Sequence, residues 1–140
     1  MGGKFMLKWS ESYEIGINDI DQQHKKFFEI GEKIYSLSKI EYILDKYDNI
    51  IDLIDELKDY TKYHFNYEEE FLDRIEYKKR FTHKMTHMKF IDELESIDIR
   101  SIDINQEEEL LNIMNFVLKW IIEHISNTDT LYAEWYRDNQ

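Results

Sequence analysis

The stretch with the clearest chemical potential lies near the middle of the chain, where His64 and Glu68 are four residues apart. On an α-helix this spacing places both side chains on one face, one turn apart. An imidazole and a carboxylate that point the same way can bind a metal ion together. They can equally form a hydrogen-bonded pair at a solvated surface, so the other histidines decide between the two interpretations.

The chain contains five histidines, and each falls in a segment that reads as helical. His83 and His87 repeat the spacing of four, which is the geometry of a chelating pair on one helix face. His124 precedes Asp129 by five residues, and His24 follows an Asp-Gln-Gln run. The HExxH motif of zinc proteases is absent, because a lysine occupies the position of its glutamate.

The amino-acid composition narrows the choice of metal. The 140 residues include no cysteine, which excludes disulfides, thiolate zinc sites and iron–sulfur clusters. Any metal site must use nitrogen and oxygen ligands, which suit iron, manganese, copper or zinc. The length is that of one ordinary domain, which we place at residues 1–140.

The net charge limits the possible partners. A formal charge of −12 repels nucleic acid and anionic membranes, so we expect neither as a partner. The sequence has neither the ~20 consecutive apolar residues of a membrane span nor a secretory signal at its start. We therefore expect a cytoplasmic protein that is kept soluble by its acidity.

The distribution of proline and glycine favours long helices, since the chain has no proline and only four glycines. We predict an irregular arm over residues 1–18, which packs back onto the body, and helices at about 19–38, 41–75, 80–96 and 106–136. Three residue pairs have the spacing of a capping box at a helix start. They are Asp19 with Gln22, Ser38 with Glu41, and Asn105 with Glu108.

The position of each acidic residue on its predicted helix decides whether it can face the bundle interior. Glu68 shares the His64 face, whereas Glu69 and Glu70 are assigned to a solvated face. Asp129 lies about 140° around a regular helix from His124, at 100° per residue. For both side chains to reach one centre, the last helix must bulge or end between them, near 127–129.

Four amphipathic segments with short links predict an all-α fold, an antiparallel up-and-down four-helix bundle. Five imidazoles and two carboxylates in its interior would be costly as unpaired buried groups. Metal coordination is the simplest compensation. Seven donors are too many for one six-coordinate ion, and they suit two ions that the carboxylates bridge.

These residues together resemble the bacterial hemerythrin family. The resemblance covers essentially the whole chain. It rests on Trp9…Tyr13-Glu14-Ile15-Gly16-Ile17…Ile20-Asp21-Gln22-Gln23-His24, His64-Phe65…Glu68, His83…His87 and His124-Ile125…Asp129.

The resemblance implies a non-haem di-iron centre that binds O₂ reversibly. Its implied ligands are His83, His87 and His124 on one iron, His24 and His64 on the other, and Glu68 and Asp129 as bridges beside an oxo or hydroxo group. The first iron would then have six ligands and the second five. One position would stay open for O₂, next to His24 and His64.

The surroundings of the implied centre yield further candidates. Phe28, Phe65, Trp120 and Ile121 each lie next to an implied ligand or one turn from it, so they could wall an O₂ pocket or simply belong to the core. Tyr132 could donate a hydrogen bond to a ligand or be an ordinary boundary tyrosine.

Three functions follow from the resemblance. The leading one is an O₂ carrier or store that is not an enzyme, is a monomer and has O₂ as its ligand. The absence of Glu-x-x-His motifs, typical of carboxylate-rich di-iron enzymes, favours it, because neutral imidazoles disfavour O–O cleavage. The alternatives are a di-iron enzyme that reduces peroxide or nitric oxide, and an oxygen-sensing module.

Overall fold

The structure is a computed structural model, and it describes residues 8–40, 45–97 and 106–139. Within these ranges the protein is helical and has no β-strand. The helices are α1 (Asn18–Ser38), α2 (Tyr47–Arg74), α3 (Arg80–Glu95), α4 (Gln106–His124) and α5 (Thr130–Asp138). A π-helical segment, Ile125–Asp129, joins α4 to α5, so that the three pieces form the fourth rod of the bundle. The predicted all-α four-helix bundle is confirmed.

The helices pack through the apolar stripes that the sequence predicts. The period of the sequence places seven residues on one stripe of α1. They are Ile20, His24, Phe27, Phe28, Gly31, Ile34 and Leu37. All seven are buried, and the adjacent helices complete a continuous core. Gly31 lies where α1 meets α4, and a Cβ atom added to it would lie 3.0 Å from Cδ1 of Leu118. The close approach of these two helices therefore depends on a residue without a side chain. No helix in the described ranges is both long and apolar enough to cross a lipid bilayer.

The described part of the N-terminal arm, residues 8–17, packs onto the bundle. It contains one 3₁₀ turn, Glu11–Tyr13, and is otherwise irregular. The rings of Trp9 and Tyr13 lie 5.6 and 5.9 Å from the ring of Phe28 on α1. These ring contacts bury the apolar side of the arm.

A buried carboxylate fixes the junction between the arm and α1. Asp21 accepts hydrogen bonds from the backbone N–H groups of Ile15 and Gly16, at 2.8 and 3.1 Å. Gly16 has a φ of 89°, a left-handed conformation that glycine adopts without strain. The turn into α1 is therefore set by residues on both sides of it.

The predicted helix starts need correction. Asp19 does not cap α1, because the helix begins one residue earlier and the Asp19 carboxylate accepts a hydrogen bond from the Tyr67 hydroxyl at 2.7 Å. Ser38 ends α1 instead of starting α2, since its hydroxyl donates to the carbonyl of Tyr35. α2 begins at residue 47, and residues 45 and 46 lie outside it. Glu41 and Asn105, the other predicted capping positions, lie outside the described residues.

The fourth rod contains the predicted irregularity. The helix expected over 106–136 is interrupted by the π-helical segment between His124 and Thr130, and it continues to residue 138. A π turn holds one residue more than an α turn. This extra residue rotates Asp129 back towards the bundle interior, where it is fully buried.

Candidate metal centre

Seven polar side chains that the sequence singled out lie together in the bundle interior, and none is more than 6% exposed. Every rod of the bundle contributes. The seven are His24 on α1, His64 and Glu68 on α2, His83 and His87 on α3, His124 on α4, and Asp129 at the end of the π-helical segment. We call His83, His87 and His124 the three-histidine group, and His24 and His64 the two-histidine group.

Glu68 lies between the two groups. Its Oε1 atom is 2.8 Å from Nε2 of His83 and 2.9 Å from Nε2 of His87. Its Oε2 atom faces the other way and is 3.9 Å from Nε2 of both His24 and His64. One carboxylate thus presents an oxygen to each group.

Asp129 repeats this arrangement from the opposite side of the bundle. Its Oδ1 atom is 3.2 Å from Nε2 of both His83 and His124. Its Oδ2 atom is 3.2 Å from Nε2 of His24. The π-helical segment is what makes this placement possible, because a regular helix would turn Asp129 away from His124.

Only some of the short distances within the cluster are hydrogen bonds, such as that between Nε2 of His83 and Oε1 of Glu68 at 2.8 Å. Nε2 of His87 and both carboxylate oxygens of Asp129 are buried and have no partner in hydrogen-bond geometry among the described residues. Such groups are rare in proteins and costly. Donor nitrogens and carboxylate oxygens that lie this close without hydrogen bonds are arranged as they would be around metal ions placed between them.

The donor atoms fall into two sets of the size that a metal ion requires. One set joins Glu68 to the three-histidine group and the other joins it to the two-histidine group, with the ligand atoms of each set within 4.8 Å of one another. Imidazole and carboxylate donors suit iron and other first-row transition metals. The residues present therefore fit two metal ions.

The outward nitrogens of two histidines have partners that fix the rings. Nδ1 of His64 is 2.7 Å from Oε1 of Gln23, and Nδ1 of His87 is 2.9 Å from Oε2 of Glu69. A histidine that donates from Nδ1 leaves the lone pair of Nε2 free for a metal. Both rings are therefore oriented for ligation through Nε2.

Glu69 corrects the sequence analysis, which assigned it to a solvated face. Glu70 is exposed as predicted, but Glu69 turns towards α3 and accepts a hydrogen bond from His87. The spacing of residues within α2 does not predict the contact of Glu69 with His87, because that contact depends on how α2 is rotated against α3. Gln23 was also missed as a partner of His64, although its position next to His24 was a usable hint.

Tyr132 is the third residue that supports the cluster. Its hydroxyl donates a hydrogen bond to Oε2 of Glu68 at 2.7 Å, and the side chain is fully buried. Burial, together with the negative charges of Glu68 and Asp129, raises the pKa of Tyr132 well above its usual value. The phenol therefore keeps its proton and remains a donor to Glu68.

The electrostatics of the cluster favour ionised carboxylates. Burial acts to raise the pKa of Glu68 and of Asp129, but the surrounding imidazoles outweigh it and hold both pKa values well below the usual range. Burial also acts to lower the pKa of His83, but its close contacts with the same carboxylates, 2.8 Å to Glu68 and 3.2 Å to Asp129, raise that pKa to about 10. Burial lowers the pKa of His64 to about 3, so its ring is neutral. The metal-free cluster thus combines two anionic carboxylates with the neutral His64 and the protonated His83, whose proton a metal ion would displace.

Two predicted pocket residues cover the three-histidine group. The ring of Phe65 stacks on His87 at 3.8 Å, with 1° between the planes. The ring of Trp120 stacks on His124 at 4.4 Å, with 14° between the planes. Both rings lie against ligand imidazoles, which restricts the orientations of these histidines.

The other two pocket candidates, Phe28 and Ile121, are buried. Phe28 is buried beneath the arm, against Trp9 and Tyr13, and Ile121 is buried in the core. Phe27, which the sequence analysis did not single out as a pocket residue, lies 5.5 Å from the His64 ring and is fully buried. Its position three residues after His24 on the same apolar stripe was the available signal.

Comparison with known proteins identifies the family of this chain. Residues 15–136 match the family model described as the hemerythrin HHE cation binding domain. The chain is 46% identical to a bacteriohemerythrin of Clostridium acetobutylicum, over 92% of this chain and 100% of that protein. It is 29% identical to a bacteriohemerythrin of Stenotrophomonas maltophilia, over 92% of this chain and 80% of that protein. A hemerythrin-like protein of Naegleria gruberi is 24% identical, over 90% of each chain. With this match and a buried cluster of histidines and carboxylates at its centre, the chain belongs to the hemerythrin family.

Proposed function

We propose that this protein binds O₂ reversibly at a di-iron centre, and so carries, stores or delivers oxygen without chemical turnover. The three-histidine group would hold one iron, the two-histidine group the other, and Glu68 and Asp129 would bridge them. The observation that carries the proposal is that each of these two carboxylates presents one oxygen to each group.

The unequal size of the two groups supports a binding role at one of the metals. Two ferrous ions, once bound, would supply the electrons and the coordination position that O₂ requires. The two-histidine group offers one nitrogen fewer than the three-histidine group. The side of the cluster near His24 and His64 is therefore the side that can accept an external ligand.

The remaining residues of the cluster would orient the ligands and control protons. Gln23 and Glu69 accept from the outward nitrogens of His64 and His87, so both rings present Nε2 inwards. Tyr132 holds Glu68 through a hydroxyl proton that its raised pKa retains. These contacts define the geometry before any ligand enters.

The composition of the cluster favours binding over oxidation chemistry. Five imidazoles, which bind a metal as neutral ligands, outnumber two carboxylates. This composition makes high-valent iron less accessible than in carboxylate-rich centres. The enclosing side chains Phe27 and Phe65 are 0% and 3% exposed, so bulk water is kept from the ligands. A dry, imidazole-rich site supports reversible binding.

Cycling between O₂ and vacuum tests the proposal directly. The protein is loaded with Fe²⁺ under anaerobic conditions, exposed to O₂, and then evacuated while its absorption spectrum is followed. Recovery of the starting spectrum over several cycles supports a carrier. Steady O₂ consumption in the presence of added reductant would instead indicate an enzyme.

Metal analysis belongs to the same experiment, because iron itself is part of the proposal. Two irons per chain are expected, and a preference for manganese or zinc from a mixture of metals would contradict the assignment. The monomeric state and the cytoplasmic location stay predictions from the sequence.

A further inference from the structure

Helix α3 is apolar on two opposite sides. Its inner side contributes ligands and core residues, but its outer side is apolar as well. Phe81, Met85 and Met88 are 72%, 47% and 54% exposed. Their spacing of four and three residues aligns them on one solvent-facing stripe. Isolated exposed apolar side chains are ordinary, but an aligned run is typical of a binding surface.

Basic side chains surround these three residues. Between residues 78 and 89 the chain has five basic side chains and no Asp or Glu, although acidic residues outnumber basic ones 30 to 18 in the whole chain. The five are Lys78, Lys79, Arg80, Lys84 and Lys89. Together with Phe81, Met85 and Met88 they form what we call the basic–apolar stripe.

Most of these charges have no ion-pair partner among the described residues. Arg80 lies 3.7 Å from Asp73. The four lysines of the stripe form no ion pair with any described residue, in contrast to Lys33 and Lys62, which pair with glutamates. In so acidic a protein, unpaired lysines gathered around exposed apolar side chains are complementary to an external acidic surface.

A groove continues the stripe towards α2. It has a volume of about 380 Å³, and its apolar lining residues are Phe65, Met88 and Ile91. Its polar lining residues are Lys62, Asn66, Glu69, His87 and Asp92. Met88 belongs to both the groove and the stripe, so the two are contiguous. A concavity of this size beside a charged rim suits one apolar anchor side chain of a partner protein.

We propose that the basic–apolar stripe and its groove dock an acidic protein that inserts an aromatic or aliphatic side chain between α2 and α3. A second copy of this chain fits less well, because a two-fold contact would place the basic side chains of both copies against one another. An anionic membrane also fits less well, because the net charge of −12 repels such a surface.

The docking site adjoins the metal cluster. Phe65 and His87 both line the groove, and their rings stack at 3.8 Å. A docked partner would therefore lie against the outer side of the three-histidine group. The proposal extends beyond O₂ binding and stands or falls independently of it.

Binding of defined peptides to the metal-loaded full-length protein tests the proposal. The probe is a fluorescein-labelled acidic peptide with a central tryptophan, followed by fluorescence anisotropy at low and physiological ionic strength. One matched peptide has serine in place of tryptophan, and another has Asn and Gln in place of the acids. We expect the probe to bind, both matched peptides to bind about tenfold more weakly or worse, and salt to weaken the binding.

Protein variants locate the binding site. Lys84→Glu with Lys89→Glu should raise the Kd of the probe about tenfold or more, and Phe81→Ser should also raise it. Lys25→Glu with Lys119→Glu changes the net charge equally on α1 and α4 and should leave the Kd unchanged. All four lysines and Phe81 are at least partly exposed, so circular dichroism should show unchanged helix content.

Three results would overturn the proposal. The first is probe binding that the Lys84 and Lys89 substitutions leave unchanged. The second is binding to phosphatidylglycerol vesicles in preference to the peptide. The third is self-association in sedimentation experiments that the same substitutions abolish, which would identify a second copy as the occupant.

Discussion

Nδ1 of His87 lies 2.9 Å from Oε2 of Glu69, so a carboxylate on α2 orients a histidine on α3. Glu69 immediately follows Glu68, whose Oε1 lies 2.9 Å from the other nitrogen of the same ring. Two consecutive residues of α2 thus contact both nitrogens of one imidazole. This relationship makes His87 the most constrained ring of the three-histidine group.

Removal of the Glu69 acceptor should weaken metal binding. Glu69→Ala leaves Nδ1 of His87 without its partner, and we expect the affinity for Fe²⁺ to fall about 10- to 100-fold. Glu69→Gln retains an acceptor oxygen and should cause a smaller loss. Competition with a chromogenic chelator measures both effects, and exposed Glu70→Ala is the matched control. Equal affinities for Glu69→Ala and Glu70→Ala would show that the contact has no role in metal binding.

Single ligand substitutions should separate the two metals. His64→Ala should empty or loosen the metal of the two-histidine group, and His87→Ala should damage the metal of the three-histidine group. The helices should remain largely folded in both variants, because most of the core lies outside the cluster. Metal content and circular dichroism provide the measurements. Retention of two irons with full O₂ affinity in either variant would refute the ligand assignment.

Metal uptake by the metal-free protein should release a proton from His83. Burial acts to lower its pKa, but its close contacts with Asp129 and Glu68 raise it to about 10. At neutral pH the ring is therefore protonated, and a metal must displace that proton. Apparent metal affinity should rise with pH, by up to about tenfold per pH unit for this one proton, until the pH reaches its pKa. Chelator competition at several pH values between about 6.5 and 8.5 checks the slope, and an affinity independent of pH would contradict it.

Tyr132 should contribute to the stability of the metal-free protein. Tyr132→Phe leaves the buried Oε2 of Glu68 without its donor, which should lower the free energy of unfolding by about 1–3 kcal/mol. Urea denaturation measures this loss. Tyr136→Phe is a suitable control, because the Tyr136 hydroxyl makes no hydrogen bond with a described residue. Identical unfolding curves for the two variants would exclude a stabilising role for the Glu68 contact.

The register of Asp129 relative to His124 should be essential for metal binding. Insertion of one alanine after Asn127 should rotate Asp129 by about 100° relative to His124 and turn it away from the cluster. The expected result is a helical protein with reduced metal content. Asn127→Ala keeps the chain length and should bind metal normally. An insertion variant with full metal content would show that Asp129 is dispensable or that the rod can adjust its register.

The sequence predicted those features that depend on spacing within one helix. The separation of His64 from Glu68 placed both on one helix face, which the other histidines indicated to be an inner face. The five residues from His124 to Asp129 required an irregular turn. Features that depend on contacts between distant segments were not predictable in this way. Asp19 could not be rejected as a cap without knowledge that Tyr67 lies beside it, 48 residues away in sequence.

The same distinction applies to the surroundings of the cluster. Phe28 follows the α1 periodicity, but the arm covers it, and the path of an irregular arm has no periodicity to read. Glu69 is one residue from an inner position, and only the rotation of α2 against α3 decides whether such a boundary residue meets solvent or a neighbouring helix. Single-helix patterns therefore located the inward-facing side chains, and packing between helices selected the residues that support them.

Gly31 has a consequence for the spacing of the two histidine groups. It lies two turns after His24 on α1, and Leu118, which a Cβ at position 31 would meet at 3.0 Å, lies on the helix that ends with His124. The separation of packed helices depends on the side chains at their contact. A larger residue at position 31 would have to displace the Leu118 side chain or move α1 away from α4, the helices that carry His24 and His124. The missing side chain at position 31 therefore allows these two helices to hold their histidines at the present separation.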